Sequence, residues 1–309
     1  MSRHSPAEAR RLSLALLALL ALLSGSAAVA RDRAPRAPLF HLATPELQAR
    51  LKPRVAQNVD AVAQYQRHGG RTGGTAFLVT PPDAAGLALV LTNHHVALFD
   101  KATVEGDALL FHRGGSARPT PAPIVDCVAA NREIDYALLR VQLPAPLRDL
   151  SPVRLSRQGD EGLRSVYNAG FPRIWEAERA RATRGEPSLV ARGLGSRPVF
   201  ERALGEPELP PKTFQVGTVD RGMWVEPFIT LRLANETGSS GSPVFARGSD
   251  CAVAMLGAGG GNVHAFVLPI GRVLDHLART RGRVEDPALR GVVNALLASA
   301  PPYLATENP

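Results

Sequence analysis

Cysteine, lysine and aromatic residues are all scarce in this chain. Only two cysteines, Cys127 and Cys251, occur in 309 residues, too few for a disulfide framework even in an oxidising compartment. There is no C-x-x-C or H-E-x-x-H spacing, so the sequence offers neither a metal site nor a cofactor motif. Lysine is confined to Lys52, Lys101 and Lys212, and aromatics make up 5% of the chain. The net charge is +8, but it is carried by arginines scattered among acids, without aromatics between them to stack on bases. That pattern is a solvated basic surface and excludes nucleic acid as the expected partner. Past residue 30 no apolar run reaches the ~20 residues a membrane span needs, no internal repeat stands out, and nothing bears on oligomeric state.

What is present begins with a leader. Arg3, Arg10 and Arg11 form a positive start, Leu12 to Leu23 is apolar, and the segment ends Ala28-Val29-Ala30. Those zones, in that order, are a secretory signal peptide over residues 1–30, with cleavage expected after Ala30. The protein is therefore expected to be exported, periplasmic or secreted, with no membrane span after cleavage. Residues 31–58 are rich in Pro and Arg and are expected to be flexible, with one short helix over 45–51. Ordered structure is expected from about Val59.

From there, short apolar runs alternate with Gly/Pro/Asp turns. Strands are expected over 74–80, 86–93, 104–112, 123–129 and 136–142, then over 165–169, 213–219, 228–233, 244–247, 252–256 and 263–269. This rhythm is all-β, a sandwich or barrel rather than alternating β and α. Two strand sets divide the chain into 59–155 and 156–280, with a charged, Pro- and Gly-containing insertion at 176–211. Helical spacing of Val273 and Leu277, and of Leu289, Val292, Val293, Leu296 and Leu297, predicts C-terminal helices, the last with its tail in 281–309.

Three segments carry chemistry. Leu91-Thr92-Asn93-His94-His95-Val96 follows an apolar strand, Ile134-Asp135-Tyr136-Ala137-Leu138 puts an acid ahead of a buried one, and Thr237-Gly238-Ser239-Ser240-Gly241-Ser242 is a tight turn. A serine hydroxyl is a poor nucleophile until an imidazole accepts its proton. The imidazole needs a carboxylate on its other nitrogen. A glycine-containing turn can aim two backbone N–H groups, those of Gly238 and Ser240, at a developing oxyanion. His95, Asp135 and Ser240 are the candidates for those roles.

These segments resemble the His, Asp and Ser motifs of trypsin-like serine peptidases, in particular the bacterial glutamyl-endopeptidase and HtrA-like branches. The motif order and spacing match, and the resemblance covers about residues 59 to 280. It implies two six-stranded antiparallel β-barrels of chymotrypsin-like form, a site in the cleft between them, protein or peptide substrates and no cofactor. The residues after Ser240 would finish a barrel without a PDZ domain. Of the adjacent pair, His95 directly precedes Val96, as the catalytic His does in the family, so His94 is the lesser candidate. By the same resemblance the substrate pocket falls on Ala234, Leu256, Gly259 and His264, an uncharged lining suited to small or medium apolar side chains, with His264 leaving an acidic preference as the second option. The uncharged Ser239 stands where digestive relatives have the acid that binds a new N-terminal ammonium. Cys127 and Cys251 fall in different barrels and are expected to stay unpaired. Two other readings compete: a serine esterase of the α/β-hydrolase type, which would draw its acid and base from Asp275 and His264 or His276, and an inactive peptidase-like binding protein.

Overall fold

A computed structural model describes residues 41–43, 45–98, 102–115, 118–157, 165–173, 212–225, 228–233, 237–260 and 264–300. A short strand, β1 (His41–Leu42), and two helices, α1 (Pro45–Gln48) and α2 (Pro53–Asp60), precede the first barrel. That barrel comprises β2 (Val62–Gln66), β3 (Thr72–Leu78), β4 (Leu87–Thr92), β5 (Ala108–Phe111), β6 (Thr120–Asn131) and β7 (Tyr136–Gln142), closed in the order β2-β3-β4-β7-β6-β5. A five-residue helix, α3 (His94–Leu98), follows β4 directly. The central pair β4 and β7 reads as two near-continuous apolar runs because both faces are covered: Val90 and Leu91 lie opposite Leu139 and Leu138, and all four are buried.

The second barrel comprises β8 (Ser165–Gly170), β9 (Thr213–Val225), β10 (Phe228–Arg232), β11 (Pro243–Ala246), β12 (Ala252–Gly260) and β13 (His264–Pro269). Its strands run β9-β10-β13-β12-β11-β8, and β8–β9 pairing closes the ring. The long strand β9 makes closure work. Its first half pairs with β8 and its second half with β10. Val166, Ile229, Leu231, Val244, Ala254, Leu256 and Val267 form the core of this barrel. Two helices end the described chain, α4 (Ile270–Thr280) and α5 (Pro287–Ser299). Ile270, Val273, Leu274 and Leu277 bury the expected i, i+3, i+4, i+7 stripe of α4. Asp286 caps α5 by accepting from the N–H groups of Ala288 at 2.9 Å and Leu289 at 3.3 Å.

Two antiparallel six-stranded barrels with C-terminal helices are the expected architecture, and they rule out the α/β-hydrolase alternative. Order begins earlier than expected, however. Residues 41–58, anticipated as flexible, include β1, which pairs with β9, and most of α2, whose Asn58 and Val59 are buried. The expected helix over 45–51 is limited to Pro45–Gln48. Strand β2 also went unanticipated, because its Val-Ala-Gln-Tyr-Gln sequence carries two glutamines, of which Gln64 is buried. Cys127 and Cys251 are both free thiols, and burial raises the Cys127 pKa to about 11. No helix among the described residues is long and apolar enough to cross a membrane. Residues 1–30 and the 176–211 insertion lie outside the described residues.

One buried cation ties the barrels together. Lys212, at the entry to β9, is 3% exposed and donates through Nζ to the carbonyls of Val59 at 2.7 Å and His112 at 3.1 Å, both on the first-barrel side. Its ammonium also lies 5.6 Å from the centroid of the Phe171 ring. Burial pulls its pKa down from 10.5 to about 7, only partly opposed by Asp60. The folded pKa is therefore below the unfolded one. The unfolded chain binds the proton more readily between those values, so the penalty is fully present below pH 7 and is relieved as pH rises toward 10.5. We expect the thermal midpoint of the native protein, measured against Lys212→Met, to climb between pH 7 and pH 9.5, by about 2–4 °C per kcal/mol relieved. Parallel pH profiles for the two proteins would contradict a desolvated Lys212.

Candidate active site

The histidine and aspartate of the motif pattern meet on the first barrel. The last register pair of the β6–β7 hairpin is Asn131 with Tyr136, and the turn between them ends at Asp135 in the left-handed region, with φ 66°. Asp is among the few residue types that tolerate this region. The twist presents both carboxylate oxygens to one residue: Oδ1 accepts from the His95 backbone N–H at 3.0 Å, and Oδ2 lies 2.8 Å from His95 Nδ1. A carboxylate only accepts, so the Nδ1 proton is fixed there and Nε2 keeps its lone pair. Asn93, fully buried, donates through Nδ2 to the Asp135 carbonyl at 3.0 Å. Arg67 donates through Nη2 to the carbonyls of His95 at 3.2 Å and Val96 at 3.0 Å, which pins the short helix α3. Burial lowers the pKa of the neighbouring His94, with the Asp135 charge opposing. No hydrogen bond joins His94 to that carboxylate among the described residues.

Ser240 lies on the second barrel, in the turn that feeds β11. Gly238 and Gly241, at φ 94° and 87°, take conformations that side chains resist, and a Cβ on either would overlap the Phe171 or Thr75 carbonyl. Among the described residues the N–H groups of Gly238 and Ser240 have no hydrogen-bond partner, whereas those of Gly241 and Ser242 are taken by Leu256 and Ser239. The Ser240 hydroxyl donates to the Gly257 carbonyl at 3.0 Å. That carbonyl is available because β12 slips register against β13 between Leu256 and Ala258, which takes Gly257 out of the ladder.

Direct contact between β3 and the serine turn brings the two halves together. Thr75 N–H donates to the Ser240 carbonyl at 2.8 Å, and Thr75 Oγ1 donates to the Gly238 carbonyl at 2.9 Å. Gly74 is the spacer. A Cβ there would stand 2.9 Å from the Ser240 carbonyl and 2.7 Å from Val96 Cγ2, so the serine turn and the residue after His95 are separated by little more than one glycine. Neither Gly74 nor Thr75 was singled out for this role from sequence; the signal available was a glycine-flanked threonine in an apolar strand.

The expected pocket residues divide. The Leu256 side chain is fully buried in the second-barrel core, and the β12–β13 register shifts just after it, between Leu256 and Ala258. Gly259 and His264 lie at the end of the β12–β13 pair where the two strands are joined in sequence, with Gly259 opposite Ala265 and His264 opposite Gly260, and His264 is half-buried. Ala234 lies outside the described residues. A ring that sequence reasoning missed, Phe228, packs on Gly257, where a Cβ would come within 2.9 Å of it. The acid and base considered for an esterase are engaged elsewhere, Asp275 with Arg157 at 2.5 Å and His276 with Tyr136 at 2.7 Å.

The chain is similar in fold to the Rv3671c protease of M. tuberculosis in its active form, with 18% identity, a TM-score of 0.46, and coverage of 80% of this chain and 92% of that one. It is also similar to a serine endoprotease from Yersinia pestis, with 12% identity, a TM-score of 0.46, and coverage of 73% and 64%. No curated protein sequence matches it. The model of the trypsin-like peptidase domain matches residues 74–255, the span that holds the His95, Asp135 and Ser240 segments, and the chain belongs to that family.

Proposed function

We propose that the serine endopeptidase chemistry of this family is carried here by Ser240 as nucleophile, His95 as general base and acid, and Asp135 as the group that orients and stabilises the imidazole. The observation that carries the assignment is the two-point hold of the Asp135 carboxylate on His95, which leaves Nε2 as an acceptor for the Ser240 proton. In the first half-reaction Ser240 Oγ attacks the scissile carbonyl carbon while its proton passes to His95 Nε2. The N–H groups of Gly238 and Ser240 receive the negative charge on the carbonyl oxygen. His95 then gives the proton to the departing amine, leaving an ester on Oγ. Water, deprotonated by the same nitrogen, attacks that ester, and the proton returns to Oγ as the acid product leaves. Before attack, Oγ turns about its Cα–Cβ bond from the Gly257 carbonyl toward the imidazole. Catalytic hydrogen bonds are often incomplete before substrate binds.

Fluorophosphonate labelling with peptide mapping tests the nucleophile, and Ser240 is the expected adduct. Ser240→Ala and His95→Ala should each lower kcat by about 10⁴–10⁶-fold, and Asp135→Asn by about 10⁴-fold, without loss of the folded state. His94→Ala should retain most activity. A dead His94→Ala with an active His95→Ala would reverse the roles of the two histidines.

The substrate side of the cleft supports a preference for small or medium apolar side chains before the cut bond. Gly257 and Gly259 add no charge, and Phe228 gives an apolar ring beside Gly257. An Arg side chain buried there without a carboxylate would be strongly disfavoured. A peptide-library digest read by mass spectrometry should show cleavage after Ala, Val or Leu. Dominant cleavage after Arg or Lys is the outcome that removes this assignment, and cleavage after Glu would give His264 the specificity role.

We also propose export, with Arg31 as the first residue of the mature protein. Ser239 is buried and uncharged, so no new N-terminal ammonium is required. Chains starting at Arg31 and Ala37, both ahead of β1, should therefore be equally active, and a sharp optimum at one of these starts, lost on N-acetylation, would show the opposite.

A further inference from the structure

The helix that follows the second barrel reaches back to the turn that bears Asp135. His276, near the C-terminal end of α4, touches both members of the last pair of the β6–β7 hairpin: its Nε2 lies 3.1 Å from Asn131 Nδ2, and its Nδ1 lies 2.7 Å from Tyr136 Oη. The directions of these bonds are fixed by chemistry. Asn131 Oδ1 already accepts from the Ile134 N–H at 2.7 Å, so the amide faces the ring with its NH₂ and Nε2 must accept. The proton of a neutral imidazole is then on Nδ1 and is donated to Tyr136 Oη. Thr280 Oγ1 donates to the His276 carbonyl at 2.8 Å. One imidazole thus joins the two strands on either side of the Asp135 turn.

We infer that His276 is a positioning residue, which clamps the mouth of the β6–β7 hairpin so that the Asp135 carboxylate stays directed at His95. The inference rests on the assignment of Asp135 above. Asp135 needs such a brace because its backbone occupies the left-handed region and its side chain must meet two donors on one residue at once. Tyr136, adjacent in sequence and fully buried, cannot shift without carrying Asp135 along. Burial, aided by Arg279 and Arg283, holds the His276 pKa below its ordinary value, which favours the neutral ring that its bonds to Asn131 and Tyr136 require. A cavity of about 120 Å³ beside the ring is lined by Tyr136, His276, Thr280 and Arg283. Truncation of the histidine would therefore admit water to the Asn131 and Tyr136 groups instead of closing over them.

The test is a kinetic series on the full chain with the active-site concentration titrated by a fluorophosphonate. His276→Ala should lower kcat per active site by about 10–100-fold, the scale of a slightly misplaced catalytic group, while KM stays within about twofold. His276→Gln can accept from Asn131 and donate to Tyr136, and should recover most of the loss. Tyr136→Phe, which removes one oxygen and keeps the ring, should move kcat in the same direction and serves if His276→Ala does not fold. The downfield proton resonance of His95 Nδ1 should shift or broaden in His276→Ala and return in His276→Gln. Native kcat per active site in both His276→Ala and Tyr136→Phe, or a loss explained only by fewer active sites, overturns the clamp. Ser240→Ala, measured alongside, separates the two levels: activity there sinks the triad, whereas a dead Ser240→Ala with a native-like His276→Ala sinks the clamp alone.

Discussion

Everything at the site depends on how closely β3 of the first barrel approaches the serine turn of the second. Thr75 is bonded on every polar group it offers. Its N–H and hydroxyl hold the carbonyls of Ser240 and Gly238, its Oγ1 accepts from the Phe171 N–H at 3.1 Å, and its carbonyl accepts from Thr92 Oγ1 at 2.7 Å. These bonds consume the carbonyl side of the serine turn and leave its N–H side facing the cleft. A buried carbonyl without a partner would cost about 1–3 kcal/mol. The orientation of the candidate oxyanion donors thus follows from where the turn's acceptors are satisfied.

The two halves solve different problems. On the first barrel the requirement is aim: a left-handed Asp135, a buried Asn93 on its carbonyl and an Arg67 on the next helix hold one imidazole by both its backbone and its ring. On the second barrel the requirement is close approach, met by glycines that let strands pass within van der Waals contact. Lys212, at the entry to β9, adds a further tie between the halves, at the cost of burying an ammonium among carbonyls instead of carboxylates. The arrangement is rigid where groups must point and permissive where chains must pass.

Much of this was legible in the sequence, for physical reasons. The strands of the barrels showed themselves where burial on one or both faces forced apolar runs, as in Leu87–Thr92 and Tyr136–Gln142. The three chemical segments showed themselves because nucleophile, base and acid need particular residue types next to strand ends. What stayed hidden was set by contacts between distant segments. Gln64 is an interior residue of a strand that composition alone would leave in a loop, and β1 exists only because β9 offers it an edge. The Leu256 side chain shares the core face with Ala254, two residues earlier, and which face that would be was set by the strands packed around it. The junction at Thr75 could not be read either, since a threonine in a strand carries no mark of the chain it will meet.

The junction also governs when the site comes into being. Thr75 and Gly238 are 163 residues apart in the chain, and contacts of such separation form late, after loop closure has been paid for by neighbouring structure. A chain emerging from synthesis can complete its first barrel, with His95 already held by Asp135, while the serine turn is still unmade. Even a finished second barrel lacks the carbonyl partners that orient its turn until the two dock. On the triad proposed above, the newborn polypeptide is therefore without an assembled site during the interval when its own loops are most open to cleavage.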